Sequence, residues 1–197
     1  GTPLSSGQSL ESQADALAAM LDTLGLDKVA VLGASAGGPA TYLLAQNHPD
    51  RVSALIEIDS VCMRYTKADE ISKAEELLFL SKAGMWLMDF LVSHFPAAMV
   101  KSFLQTESTL DKHEIRERVK HVLKDPAKLA MVEVLSNTMT TNYELRKSGV
   151  ANDLDTMRPL DRLPLDKVSC PALIIHGDAD NDVPPAQAEY AAHSIAD

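Results

Sequence analysis

The chain has 197 residues, 46% hydrophobic and 23% charged, enough to bury one sizeable core. Its net charge of -10 argues against a nucleic-acid partner, which needs clustered Lys and Arg; the mild cluster at Lys112, Arg116, Arg118, Lys120 and Lys124 is interleaved with Asp111, Glu114, Glu117 and Asp125. Cys62 and Cys170 make no disulfide framework, and no signal peptide or spanning run of about 20 apolar residues is visible, which leaves the compartment open, the cytoplasm slightly favoured, and the oligomeric state undetermined.

In chain order, residues 9 to 24 predict a helix with Ser9 as N-cap, a stripe of Leu10, Ala14, Leu17, Leu21 and Leu24, and Gly25 as its stop. Val29 to Leu32 reads as a buried strand, Ala36 to Asn47 as a helix ended by His48-Pro49, and Val52 to Asp59 as the next strand. Between Asp59 and about Pro164 no strand-like alternation occurs. Segments 68 to 82, 84 to 94, 97 to 106, 111 to 123 and 126 to 148 read as helices. The apolar runs Leu77-Leu78-Phe79-Leu80 and Met85-Trp86-Leu87-Met88 are broken by Lys82, Asp89 and His94 before they could span a membrane. Ala172 to His176 is a third strand, and residues 184 to 196 a last helix opened by Pro184-Pro185. Short apolar strands separated by helices imply an α/β fold, with parallel strands covered on both faces and ligands bound at the strands' carboxyl ends, where Ser35, Asp59 and Asp180 fall.

The segment Gly33-Ala34-Ser35-Ala36-Gly37 carries the chemistry. It follows an apolar strand and opens a helix, the context of a nucleophile elbow, in which a serine at a sharp corner is held clear of the sheet with the helix N-terminus aimed at it. The corner strains Ser35, so Gly33 and Gly37 are expected to lack side chains because these would strike strand or helix, while Gly38 and Ala40 let the helix lie close. The Ala36 amide is a natural oxyanion donor.

With these residues the chain resembles the α/β-hydrolase superfamily. The approach Leu26-Asp27-Lys28-Val29 to Ser35, the turn Asn47-His48-Pro49-Asp50-Arg51-Val52, and the run Pro164 to Val168 followed by Cys170 to Asp180 match it in order. The resemblance implies a partial doubly wound parallel sheet with a helical lid: core parts at 1–60 and 164–197, lid at 61–163. It also implies strands and an His-Gly oxyanion loop ahead of Gly1, and a last strand and catalytic His beyond Asp197, so the chain is expected to be an inactive, marginally folded fragment. The implied activity is that of a lid-containing, esterase-like serine hydrolase. Ser35 would attack a small carboxylic ester or related acyl substrate, Asp180 would hold the His, and Ala36 would bind the oxyanion, through an acyl-enzyme. Carbon-carbon cleavage, peptide hydrolysis and perhydrolysis use the same elbow, and a small-molecule receptor keeping this fold without turnover is the alternative from another class.

Asp180 matches the family's acid position; Asp178, in the same loop, and Asp59, ending the strand after the elbow, are the other candidates, and Asp182 is expected to close the turn before Val183-Pro184. Among the histidines, His48 is remote, His94, His113 and His121 lie in the lid, His176 reads as a satisfied ring near the core, and His193 is too far along the last helix. Trp86 and Met139 are candidates for an acyl pocket. No His/Cys/Asp spacing implies a metal, and no cofactor is expected.

Overall fold

The computed structural model describes residues 4–66, 81–141 and 143–195. These divide into two units, Gly1–Asp69 with Ser148–Asp197, and Glu70–Lys147. The boundaries therefore differ from the expected 60/61 and 163/164. Residues 61–66 and 148–163 join the first unit because Val61, Cys62, Met157 and Leu163 are buried in its core and Met63 bridges Arg162.

The first unit holds a three-stranded parallel sheet in the order β1 (Val29–Ala34), β2 (Val52–Ile58), β3 (Ala172–Ile175). Helix α1 (Leu10–Leu24) starts where the Ser9 hydroxyl accepts the Ser12 amide at 3.1 Å, and stops at Gly25, whose φ of 67° suits a residue without Cβ. Its buried face is Leu10, Ala14, Ala18 and Leu21; Leu24, expected on that stripe, is exposed beside the terminating turn. Helix α2 (Gly38–Asn47) packs on β1 and β2 and inserts Tyr42, Leu43, Leu44 and Ala45 into the core. Arg51 then fixes the loop before β1: its guanidinium donates to Leu26 O at 2.8 Å, Asp27 O at 2.7 Å and Asp22 Oδ1 at 2.6 Å.

On β2, Leu55 and Glu57 share the face turned to α2 and are buried. The opposite row, where Leu32 is in register with Ile56 and Ile56 with Leu173, is exposed at both ends. The predicted covering of both sheet faces is thus seen on one face among the described residues. The core closes with helix α8, Ala186–Ser194, which opens at Pro185 and buries Gln187 and Ala191. Gln187 ties the segment after β2 to α8. Its Oε1 accepts the Cys62 and Met63 amides at 2.8 and 2.6 Å, and its Nε2 donates to the Met63 and Arg64 carbonyls at 3.4 and 3.3 Å. Cys62 and Cys170 are free thiols.

The second unit contains α3 (Lys82–His94), α4 (Pro96–Glu107), α5 (Lys112–Lys124) and α6 (Pro126–Thr140). Asp111 and Glu114 form a reciprocal capping box on α5, and α3 packs on α6 as α4 does on α5. The predicted helix over 126 to 148 is two helices, α6 ending at the extended Thr141 and α7 running from Tyr143 to Met157. Thr140 and Thr141 are β-branched and carry hydroxyls that compete for backbone hydrogen bonds, which weakens a helix there. The helix expected at 68 to 82 lies, but for its last two residues, outside the described residues. No single helix among the described residues is long and apolar enough to cross a membrane.

Candidate active site

The parallel register brings three strand ends level. Ala34 pairs with Ile58 and Ile58 with Ile175, so the next residues, Ser35, Asp59 and His176, emerge at one edge of the sheet. Ser35 and Asp59 are the described non-glycine residues with positive φ, 50° and 47°. A left-handed L-residue costs about 1–2 kcal/mol, and here the surroundings hold it: the Ser35 carbonyl accepts the Val61 amide at 3.1 Å and the Gly38 amide. Ser35 is exposed and begins a short 3-10 turn, Ser35–Gly37, ahead of α2, where continuous helix from Ala36 was expected.

The glycines divide differently from the expectation. A Cβ on Gly33 would stand 2.2 Å from Thr41 Oγ1 and 2.4 Å from Glu57 Oε2, and one on Gly38 would stand 2.6 Å from Ser60 Cβ. A Cβ on Gly37 would meet nothing within 4 Å among the described residues, and its φ of -78° is ordinary, so close contact does not explain Gly37.

Across the edge lies the acid loop. Asp180 Oδ1 accepts the Asp182 and Val183 amides at 2.8 and 2.9 Å, so Asp180 itself braces this turn while its Oδ2 stays free of backbone, 3.7 Å from His176 Nε2. Asp182 instead accepts the Tyr65 hydroxyl. Asp59 Oδ1 accepts the Gly177 amide at 2.8 Å and lies 3.9 Å from His176 Nδ1. The His176 side chain, 7% exposed, donates from Nε2 to Val183 O at 2.7 Å, which leaves Nδ1 buried without a hydrogen-bond partner. The ring is thus half satisfied and turned into the acid loop, the geometry of a brace between two carboxylates. The donor atoms of Asp59, His176 and Asp180 lie within 4.8 Å of one another. Asp59 Oδ1, His176 Nε2 and Asp180 Oδ1 are each engaged by loop backbone, at Gly177, Val183 O and the Asp182 and Val183 amides, which accounts for the cluster as the brace of the acid loop.

The remaining histidines of the first unit are committed elsewhere: His48 Nε2 contacts Asp15 Oδ1 at 2.8 Å and His193 Nδ1 contacts Glu189 O at 2.6 Å. Trp86 is 67% exposed on α3 and stacks on Phe90, with centroids 5.7 Å apart. Met139 lies in α6, its side chain outside what is described. Sequence reading missed Glu57. A lone charge inside Ala54 to Ile58, in phase with Leu55, was the available signal.

A family model described as alpha/beta hydrolase fold matches residues 2–197. The chain belongs to the α/β-hydrolase fold family. An α/β-hydrolase fold protein from Nakamurella multipartita is 38% identical with a TM-score of 0.91, over 100% of this chain and 67% of that one. A pimeloyl-acyl-carrier-protein methyl ester esterase of Aromatoleum aromaticum is 30% identical over 100% of this chain and 71% of its own length. An uncharacterized hydrolase of Bacillus subtilis is 26% identical over 96% of this chain, which spans 64% of that protein. The α/β-hydrolase family places a nucleophile at a corner of the kind formed by residues 33 to 38.

Proposed function

We propose that this chain carries the nucleophile and the acid of a serine hydrolase acting on a small carboxylic ester or related acyl substrate. The observation that carries the reading is Ser35, exposed and left-handed at the carboxyl end of β1, with the Ala36 amide following it at the start of a helix. Ser35 Oγ attacks the acyl carbon and passes its proton to a histidine base. The Ala36 N–H and a second amide stabilise the oxyanion. The alkoxide leaves with the proton from that histidine, giving an acyl-enzyme. Water then attacks, the acid departs, and Ser35 regains its proton.

Asp180 is the proposed acid, because its Oδ1 is anchored by two amides while Oδ2 remains available to orient an imidazole. Asp59 is more exposed and holds Gly177. Trp86 and Met139 are proposed as acyl-pocket residues from their residue types, since Met and aromatic side chains suit an apolar pocket. The test is the full-length protein against a short activated ester, with a fluorophosphonate probe in parallel. Wild type should turn over and label at Ser35, and Ser35→Ala should do neither; turnover or labelling that survives in Ser35→Ala overturns the reading.

A further inference from the structure

Directly behind the corner lies a buried carboxyl that the reaction above does not use. Glu57 is 1% exposed. Its Oε1 is 2.6 Å from the Thr41 hydroxyl, and its Oε2 has no hydrogen-bond partner and fills the space a Gly33 Cβ would need. The nearby Ser60 hydroxyl donates to Ile58 O at 3.3 Å. Tyr42 on α2 and Cys62 after β2 are the titratable neighbours. Burial, joined by the Glu57 charge whenever that carboxyl is ionised, pushes the Cys62 thiol up to about 12 and the Tyr42 hydroxyl well above its usual range, so both are neutral. No ion pair to Glu57 occurs among the described residues.

The hydrogen count around Thr41 favours the neutral form of this group. Thr41 Oγ1 sits within hydrogen-bond distance of three acceptors: Glu57 Oε1 at 2.6 Å, Gly38 O at 2.9 Å and Gly37 O at 3.3 Å. A hydroxyl has one hydrogen. If Glu57 were ionised, one acceptor would take it, the others would face a lone pair, and the buried Oε2 would have only the Ser60 hydroxyl, which here points to Ile58 O, to draw on. If Glu57 is protonated, its O–H donates to Thr41 Oγ1 and Thr41 donates to Gly38 O, so both contacts carry a hydrogen.

We propose that Glu57 is a positioning residue for Ser35: as a neutral acid it donates to Thr41, whose own hydrogen is thereby committed to the Gly38 carbonyl, fixing the first turn of α2 and the Ala36 amide against β2. The assignment rests on Ser35 being the nucleophile. Burial is the main influence on this carboxyl, opposed by hydrogen bonding from Ser60 and Thr41, and pushes it up to about 7. Ionisation above that pH turns the Thr41 hydrogen away from Gly38 and puts a negative charge beneath the oxyanion site.

The experiment is the pH profile of kcat for an activated ester with full-length wild type, Glu57→Gln, Glu57→Leu and Thr41→Val. Relative to Glu57→Gln, wild-type kcat should fall about tenfold between about pH 6 and pH 8, following the neutral fraction of a group titrating near 7. The rising limb of the histidine base is common to both proteins and cancels in this ratio. Glu57→Gln, whose amide donates at every pH, should keep kcat at about pH 6 and KM throughout while losing the alkaline fall. Glu57→Leu and Thr41→Val should lower kcat at all pH values. A ratio that stays flat over this range overturns the proposal, as does Glu57→Gln performing no better than Glu57→Leu. Failure of the nucleophile assignment shows separately, as turnover in Ser35→Ala. Independently of activity, wild type should show a protonated-carboxyl C=O stretch at about pH 6 that Glu57→Gln lacks. Its absence from wild type overturns the neutral acid.

Discussion

Replacing Glu57 by Gln should change how stability depends on pH, and the size of the change follows from the burial of one carboxyl. The ordinary value of 4.5 applies in the unfolded chain and about 7 in the fold. Below about pH 4.5 the group is neutral in both states and carries no penalty. Between about 4.5 and 7 the unfolded chain loses a proton that the native state keeps, so wild-type stability falls as pH rises. Above about 7 both states are charged and the penalty is constant. At about 1.4 kcal/mol per pH unit it totals about 3 kcal/mol. Gln is uncharged throughout and preserves the donation to Thr41, so the variant escapes this loss. Urea unfolding of full-length wild type and Glu57→Gln at several pH values, analysed as the difference between the two, cancels every other titrating group. The difference should grow in favour of Gln by about 3 kcal/mol between about pH 4.5 and pH 8. A difference that stays flat or shrinks over that range would refute the reasoning and leave Glu57 ionised in the fold.

Ser35→Gly should raise the unfolding free energy by about 0.5–1 kcal/mol, because glycine relieves the left-handed backbone at φ 50° but loses more chain entropy; chemical denaturation that finds it destabilised would argue against strain at the corner. Asp180→Asn should lower kcat by roughly three to four orders of magnitude and Asp59→Asn by less than about tenfold; steady-state kinetics with the reverse order would transfer the acid role to Asp59. Gly33→Ala should cost about 2–3 kcal/mol through overlap with Thr41 and Glu57, while Gly37→Ala, facing open space, should stay within about 0.5 kcal/mol in the same denaturation assay.

Much of this architecture could be read from the chain because its signals are local. The apolar strands, the Ser9 and Gly25 caps, and Gly33 to Gly38 between strand and helix each specify their own backbone. What depended on packing was not legible. Gly37 was expected to be sterically required, yet a Cβ there would meet nothing described, and the close approach falls at Gly38, against Ser60 and Val61. Asp182 was expected to close the turn before Val183-Pro184, whereas Asp180 Oδ1 accepts the Asp182 and Val183 amides and Asp182 accepts the Tyr65 hydroxyl. His176 was read as satisfied, but the bond to Val183 engages one nitrogen only. Glu57 was passed over because an apolar strand is recognised by its apolar residues, and its state is set by burial and by hydroxyls on neighbouring elements, Thr41 on α2 and Ser60 after β2.

Residues 59–64 have a consequence for recombining this scaffold. The segment reaches Ser35 through the Val61 amide, Gly177 through the Asp59 carboxylate, and α8 through Gln187. It is the shared hinge plate of two loops that lie more than a hundred positions apart in the chain. A chimera that imports the acid loop and α8 from a relative but keeps this segment would mate one half of the plate to foreign screws, and the misfit would be felt at the serine. Exchanging 59–64 together with the acid loop and α8 keeps those joints matched, so the unit of inheritance here is defined by hydrogen bonds rather than by contiguous sequence.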